Sequence, residues 1–314
     1  MLTYAIKRIG LSLLIAAVAM VMLFIMIRAI PGDPATIMLG ARASPETIAR
    51  LNAEMGLDRP LALQVLYWFG HLITGNLGTD VWSQRPVAEV VLEALPPTLA
   101  LTFSGLGWAM LVGIPLGCYS ALRPGTVFDW LTSVVSVGAI SIPPFVLAIY
   151  LLLALAVHLG WFPVLGAGEK GDIVSQVWHL VLPAFAVGLG WVGYLARLVR
   201  GSMLEIMAEN HVRTARAMGL PEYRVQIHYC LRLAIIPAVT LIGISIGGLL
   251  SSAVLVENVF ARPGLGTLIA QAAQGRNYPV VQGGVFASVM LFVIIMPITD
   301  LVVAWLDPRV RDSL

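Results

Sequence analysis

The segment GISIG, residues 243–247, matches the G-x-S-x-G pattern that surrounds the nucleophilic serine of many hydrolases. In such an enzyme Ser245 would attack a carbonyl carbon, and a neighbouring histidine would take its proton. The pattern carries that chemistry where a strand turns sharply into a helix. Here it lies in the middle of an uncharged apolar run, and none of the five histidines lies in the middle of such a run. A serine hydrolase that uses Ser245 therefore stays a remote alternative.

The same segment also has the composition of a packing surface built from small residues. Gly243 and Gly247 form a G-x-x-x-G pair, and Gly248 and Ser251 extend it. Small side chains let two helices approach closely inside a membrane. We therefore predict that these four residues pack helices together or line a pathway, without any chemistry of their own.

Other chemistry-bearing patterns are absent from the sequence. There is no G-x-x-x-x-G-K-[ST] phosphate loop, no H-E-x-x-H and no cysteine pair with zinc-site spacing. We therefore predict no catalytic residue, no metal and no cofactor bound by this chain. The net charge of +2 gives no reason to expect a nucleic-acid partner.

One polar stretch, ENHVRTARAMGLPEY at residues 209–223, stands between two of the most apolar parts of the chain. We predict that helix continues into it through Met218, that Gly219 takes a left-handed conformation, and that Pro221 starts a second helix ending near Ile236. Small residues beside arginines would let another protein approach closely and pair its carboxylates. A solvated loop is the plainer alternative. The residues of this candidate docking surface are His211, Val212, Arg213, Thr214, Ala215, Arg216, Ala217 and Gly219.

The elements that carry these residues are apolar runs, since the chain is 59% hydrophobic and 11% charged. A soluble domain usually has about 25% charged residues, so lipid is the solvent that this composition favours. A spanning helix needs about 20 apolar residues, and six uncharged runs are long enough, so we predict an all-α membrane protein with six spans. An ion-coupled carrier would keep charges inside its spans, and these runs hold none. The runs are residues 9–27, 94–122, 130–168, 173–196, 233–256 and 277–299.

Two of these runs need comment. The run at 9–27 exceeds the 7–15 apolar residues of a signal peptide, so we predict a retained span. In the run at 130–168, glycines and a proline break the second half, and we predict one helix followed by a loop. Pro143 and Pro144 interrupt that helix, because proline removes a backbone donor. The interruption either lines a pathway or is a packing kink, and both interpretations remain open.

Basic residues orient the spans, because cytoplasmic loops carry an excess of lysine and arginine. With both termini inside, the short outer loops hold Lys170, Arg262 and Arg276 alone. The cytoplasmic segments hold Lys7, Arg8, Arg123, Arg197, Arg200, Arg213, Arg216, Arg224, Arg232, Arg309 and Arg311. We therefore predict a first span within 1–30, an outer segment at 31–94, a core of five spans at 95–306 with a cytoplasmic loop at 198–236, and a cytoplasmic tail at 307–314.

The outer segment is predicted to hold short helices. Ser44 followed by Pro45 is typical of a helix start. Residues 61–73 have the pattern of an amphipathic helix at the membrane interface. Residues 86–95 are predicted to form a short helix that leads into the second span.

The polar stretch resembles the coupling loop of the membrane subunits of ABC importers, through VRTARAMG at 212–219 and LRLAIIPAVT at 231–240. The match is closest to the dipeptide/oligopeptide/nickel permease family and extends over essentially the whole chain. Met218 and Leu233 stand where that family commonly has lysine and asparagine. The other matching segments are PGDPA at 31–35, GLDRPL at 56–61, RPVAEVV at 85–91, LPPTLALT at 95–102, VENVFARPGLGTLIAQA at 256–272, RNYPVVQG at 276–283 and DPRVR at 307–311.

This resemblance implies a type I importer fold with an extra outer segment after the first span. It implies a non-catalytic subunit in a bacterial inner membrane, partnered by a homologous second permease, two ATPase subunits and an extracytoplasmic binding protein. ATP and magnesium would be bound by the ATPase subunits, which would dock on the coupling loop. Peptides, meaning dipeptides, oligopeptides or glutathione-like compounds, are the most frequent substrates in this family, and nickel complexes and opines are the alternatives.

Overall fold

The computed structural model describes residues 2–29, 44–54 and 60–306, and these ranges are helical, with no strand among them. An isolated antiparallel bridge joins Thr79 to Pro86. The expectations for PGDPA, for most of GLDRPL and for the tail at 307–314 lie outside the described residues. Where the chain is described, it is the all-α protein that the sequence predicts.

The helices are named here in chain order. They are α1 (Leu2–Ala29), α2 (Pro45–Glu54), α3 (Leu61–Ile73), α4 (Val87–Leu122), α5 (Val127–Ser141), α6 (Pro144–Leu151, continuing as a π-helix over Leu152–His158), α7 (Ile173–Met207), α8 (Asn210–Ala217), α9 (Glu222–Arg224, then a π-helix over Val225–Leu231, then Arg232–Ala234), α10 (Ile236–Val259), α11 (Leu265–Gln274) and α12 (Tyr278–Leu306).

Five helical stretches in the described ranges are long and apolar enough to cross a membrane, and there are six if a bent pair counts as one span. The bent pair is α5 and α6, which meet at 97°. The break predicted at Pro143 and Pro144 is present, and it divides the predicted helix into two. Pro144 lacks a backbone N–H, and Ile142 and Pro143 are extended, so the helical ladder stops and restarts at this point. The five stretches are Ile9–Ile27, Val87–Leu122, Ile173–Met207, Glu222–Gly243 and Tyr278–Thr299.

The outer segment matches its prediction in two places and differs in one. The Ser44 side chain accepts the backbone N–H of Thr47 at 3.2 Å, which caps α2 as expected. Helix α3 has the predicted bounds, and its Trp68 ring lies 5.5 Å from Phe24 of α1. No separate helix exists at 86–95, because α4 runs without interruption from Val87 through Pro96 and Pro97.

The centre of the fold is the contact between α4 and α7, which glycines bring close together. A Cβ on Gly113 would lie 2.8 Å from the carbonyl oxygen of Val192. Gly117 is placed still closer to the backbone of Ala196. The same two helices join over Trp108, whose indole N–H donates to the carbonyl of Ala184 at 2.8 Å. These contacts fix α7, and α7 in turn carries the polar loop.

Candidate functional site

The polar loop begins with a break after α7, so the prediction that helix continues through Met218 is wrong. Helix α7 ends at Met207, and Glu209 is extended, with φ −72° and ψ 154°. Helix α8 then starts afresh at Asn210, and the N–H of Arg213 donates to the carbonyl of Glu209 at 3.2 Å. The loop therefore presents α8 as a separate short helix instead of an extension of the membrane span.

The end of α8 is the left-handed turn that the sequence predicts. Gly219 has φ +76°, a conformation that costs other residues about 1 kcal/mol. Its N–H donates to the carbonyl of Arg216 at 3.0 Å, and the N–H of Leu220 donates to Ala215 at 3.4 Å. These bonds cap the helix, and α9 begins two residues later at Glu222. The two-helix arrangement is confirmed.

One face of α8 is turned into the protein. The side chains of Val212 and Ala215 are buried, 0% and 3% exposed, and belong to one apolar cluster with Val199 and Met203 of α7 and Val225 of α9. The prediction that Ala215 lets a partner approach closely is therefore corrected. Positions 212 and 215 lie one helical turn apart and face the loop's own core.

The opposite face of α8 is exposed. Arg213, Thr214, Ala217 and Met218 are all exposed, and Met218 is 76% exposed. The Thr214 hydroxyl donates to the carbonyl of Asn210 at 3.0 Å. Arg213 makes no ion pair with any other residue in the described ranges. This face combines a free cation with small and apolar groups.

Two polar side chains of α8 are engaged within the loop. Arg216 donates from Nε and Nη2 to both carboxylate oxygens of Glu222, at 3.2 and 2.8 Å. These bonds raise the pKa of Arg216, which is charged at neutral pH in any case. His211 Nδ1 lies 3.0 Å from a Glu209 oxygen. The pair between Arg216 and Glu222 joins α8 to α9, so Arg216 is not free in the way that Arg213 is.

A half-buried ion pair near the end of α7 could not be predicted from the sequence. Asp129, at the start of α5, accepts from Arg200 Nε at 2.5 Å and Nη2 at 2.8 Å. It also accepts from the Ser120 hydroxyl at 2.5 Å and from the N–H of Gly125 at 3.0 Å. From the sequence, Arg200 counts only toward the positive-inside rule and Asp129 only as the edge of a run. No pattern in one sequence joins two residues 71 positions apart.

A second buried polar cluster lies near the junction of α10 and α11. The Glu257 side chain is fully buried and accepts from the Thr98 hydroxyl at 2.5 Å and from the N–H of Thr267 at 3.2 Å. Nearby, Arg262 Nη1 donates to the carbonyl of His179 at 3.1 Å. In the sequence, the segment PGLG at residues 263–266 was the signal that could have indicated this cluster, because glycine permits close backbone approach.

A hydrogen-bonded clasp, formed by Asp80, Ser83 and Asn277, joins the outer segment to the turn before α12. Asn277 donates from its amide to Asp80, whose other oxygen accepts from the Ser83 hydroxyl at 2.5 Å. Burial raises the pKa of Asp80, but hydrogen bonds from Ser83, the N–H of Trp82 and Asn277 outweigh it, so the pKa is below its usual value. This clasp joins residues 197 positions apart.

The predicted packing or pathway residues have mixed settings. A Cβ on Gly243 would collide with Thr299 of α12, whereas one on Gly248 would meet nothing within 4 Å. Gly247 and Ser251 lie in α10, but their burial and side-chain contacts are outside what the structure describes. Pro143 and Pro144 stand at the 97° bend, Pro143 exposed and Pro144 half-buried.

The serine of GISIG is occupied within its own helix. Ser245 is buried, and its hydroxyl donates to the carbonyl of Leu241 at 2.5 Å. The described residues contain no group of three or more histidine, cysteine, aspartate or glutamate side chains that could hold a metal. Because its hydroxyl is hydrogen-bonded within its own helix, Ser245 behaves as a satisfied helical serine.

Comparison with known proteins covers the whole chain. The family model described as "Binding-protein-dependent transport system inner membrane component" matches residues 113–312, and the model for the N-terminal part of such components matches residues 1–102. The dipeptide transport system permease protein DppB of Escherichia coli strain K12 is 35% identical over all of both chains. The glutathione transport system permease protein GsiC of Salmonella typhimurium strain LT2 is 36% identical over 99% of each.

A more distant relative and a solved structure agree. The probable peptide ABC transporter permease protein y4tP of Sinorhizobium fredii is 32% identical over 98% of this chain and 99% of its own. The inward-facing MetNI methionine ABC transporter has a chain that aligns with a TM-score of 0.55 and 22% identity, over 69% of this chain and 96% of that one. The likeness in fold agrees with the importer-permease fold that the resemblance implied.

Proposed function

Because the chain belongs to the family of inner membrane components of binding-protein-dependent transport systems, we propose that it is the peptide permease of an ATP-driven importer. As a member of this family it is a multi-pass membrane protein and a transport component. We propose that it forms half of a translocation pathway with a homologous second permease. An extracytoplasmic binding protein would deliver the substrate, and two separate ATPase subunits would hydrolyse ATP.

Peptide is the substrate that the relatives favour. Relatives that align from end to end carry names for dipeptide, glutathione and peptide transport. Glutathione is itself a peptide derivative, so the three names share one chemical class. Nickel complexes and opines remain the alternatives within this importer class. Mass spectrometry of the ligand that copurifies with the cognate binding protein tests this choice, and a metal complex or an opine there would overturn it.

The exposed face of α8 supports the proposal that this helix docks the ATPase. Helix α8 is separate from α7 and is capped at Gly219. Its buried side chains Val212 and Ala215 pack into the apolar cluster of the loop. Its outer face leaves Arg213 without an ion pair among the described residues, and an unpaired guanidinium binds carboxylates well. The site that we propose for the ATPase is thus Arg213, Thr214, Ala217 and Met218, with Gly219 fixing the turn. His211, Val212, Ala215 and Arg216 support it from within the loop.

Reversing the charge of Arg213 tests this proposal without any knowledge of the substrate. Arg213→Glu should place a carboxylate against the acidic groups of the ATPase and weaken docking by about tenfold or more. Lys170→Glu is the matched control, since it makes the same change of charge on an exposed residue of another loop. The measurement is the amount of ATPase subunit that copurifies with the permease. Equal recovery with Arg213→Glu and with the wild type would contradict docking at α8.

A further inference from the structure

The Asp129 carboxylate joins the start of α5 to the end of α4 and to α7. Ser120 lies in the last turn of α4, Gly125 in the following turn, and Arg200 near the end of α7. Of these three partners Arg200 alone is charged, and it binds in the two-point geometry that gives such pairs their directional rigidity. Asp129 is 5% exposed, so water competes little for these bonds.

Arg200 lies in the part of α7 against which the coupling loop packs. Val199 and Met203, one before it and three after it, are fully buried. Both belong to the cluster that holds Val212 of α8 and Val225 of α9. A displacement of α8 therefore reaches α7 at the turn that carries Arg200.

Asp129 lies in the first turn of α5, and α5 lies along α7. A Cβ on Gly193 of α7 would collide with the backbone of Ser136, whose Cα would be 3.0 Å away. At its other end α5 stops at the 97° bend before Pro144. Close packing without side chains resists approach but lets helices slide along each other, whereas a two-point ion pair on a buried carboxylate resists sliding.

We propose that Asp129 and Arg200 are positioning residues that carry movement of the coupling loop into α5, and so into the bent third span. This inference rests on the proposed function, in which α8 docks the ATPase. The pair makes α5 follow α7 when α7 is moved from the ATPase side. Without the pair, the ATPase still docks on this subunit, but ATP hydrolysis no longer moves the third span together with α7.

The test removes both charges together, because a single substitution would leave a buried charge unpaired. Asp129→Asn with Arg200→Gln keeps polar groups of similar size. Ser120→Ala is the matched control, since it removes a hydrogen bond from the same carboxylate but leaves α5 joined to α7. Arg200→Lys is a milder variant that keeps the charge and loses the two-point geometry.

The complex is purified with its second permease and ATPase subunits and reconstituted in proteoliposomes with the binding protein and tritiated dialanine. The quantity measured is dipeptide imported per ATP hydrolysed, together with recovery of the ATPase subunits. The double variant should recover the ATPase as the wild type does, while its coupling ratio falls about fivefold or more. Arg200→Lys should lie between, and Ser120→Ala should match the wild type.

Two results would overturn the inference while leaving the proposed function intact. One is a double variant or Arg200→Lys that couples as the wild type does. The other is a Ser120→Ala variant that uncouples as strongly as the double variant, since the carboxylate would then act only by stabilising the fold. A wild-type complex that does not retain its ATPase, or that imports no dipeptide, would overturn the proposed function and this inference with it.

Discussion

At the scale of single residues, the Thr98 hydroxyl bridges the start of α11 and the buried Glu257 side chain. The N–H of Leu265 donates to the Thr98 oxygen at 2.7 Å, and the hydroxyl lies 2.5 Å from a Glu257 oxygen, much closer than its other acceptor, the carbonyl of Ala94 at 3.5 Å. The other Glu257 oxygen accepts the N–H of Thr267. One carboxylate oxygen thus accepts from Thr98 of α4, and the other accepts from the first turn of α11, where unpaired N–H groups and the helix dipole favour an anion. Glu257 and Thr98 together fasten α11 to α4.

Replacing Thr98 tests this fastening. Thr98→Val leaves a buried carboxylate oxygen and the N–H of Leu265 unpaired, and should lower the free energy of unfolding by about 1–3 kcal/mol. Thr98→Ser keeps the hydroxyl and loses one methyl group, which costs about 0.8 kcal/mol. Thermal unfolding of the purified protein gives the comparison. A valine variant as stable as the serine variant would show that the hydrogen bonds of the Thr98 hydroxyl contribute nothing to the free energy of unfolding.

At the scale of elements, the absence of side chains decides how α4 and α7 meet. Along α4, Gly113 and Gly117 face the backbone of α7, whereas Gly107 faces open space within this chain. Glycines of one helix therefore differ in what they allow, although the sequence does not distinguish them. Those that face α7 permit a backbone contact that any Cβ would prevent.

Alanine at these glycines gives a matched pair of variants. Gly117→Ala should force α4 from α7, because its Cβ would overlap the carbonyl of Ala196, and should cost about 1–3 kcal/mol. Gly107→Ala should be neutral or stabilising by up to about 1 kcal/mol, since alanine is the better helix former. The yield and melting temperature of membrane-extracted protein report the difference. Equal losses at both positions would show that helix propensity and not packing sets the outcome.

Several elements could be predicted from the sequence because local chemistry determines them. The length of the uncharged runs identifies the spans. Gly219 identifies the end of α8, because few other residues adopt a positive φ. Ala215 is buried although its small size suggested a surface contact, because its position along α8 places it on the inner side of that helix. The bond between Asp129 and Arg200 could not be predicted, because it depends on how three helices pack. The 97° bend required more than the presence of Pro143 and Pro144, since prolines at 96, 97 and 115 leave α4 unbroken.

At the scale of the whole molecule, the bent pair decides the topology. If α5 and α6 together cross the membrane once, three crossings separate α2 from the coupling loop: α4, the bent pair and α7. The two would then lie on opposite sides, as the distribution of arginines predicts. If the bent pair enters and leaves on one side, only α4 and α7 cross, and α2 and the coupling loop would share a side. The positive-inside rule is thus tested at the same time as the nature of the bend.

Single cysteines at three exposed positions distinguish these two topologies. Thr47 lies in α2, Lys170 between α6 and α7, and Met218 after α8, and each is exposed. In a background where Cys118 and Cys230 are alanine, an impermeant thiol reagent is applied to right-side-out vesicles before and after lysis. A single crossing of the bent pair should make Thr47→Cys and Lys170→Cys react at once, and Met218→Cys only after lysis. Reaction of Met218→Cys in intact vesicles, with Lys170→Cys protected, would show a re-entrant bend and place the coupling loop outside, where no ATPase could dock.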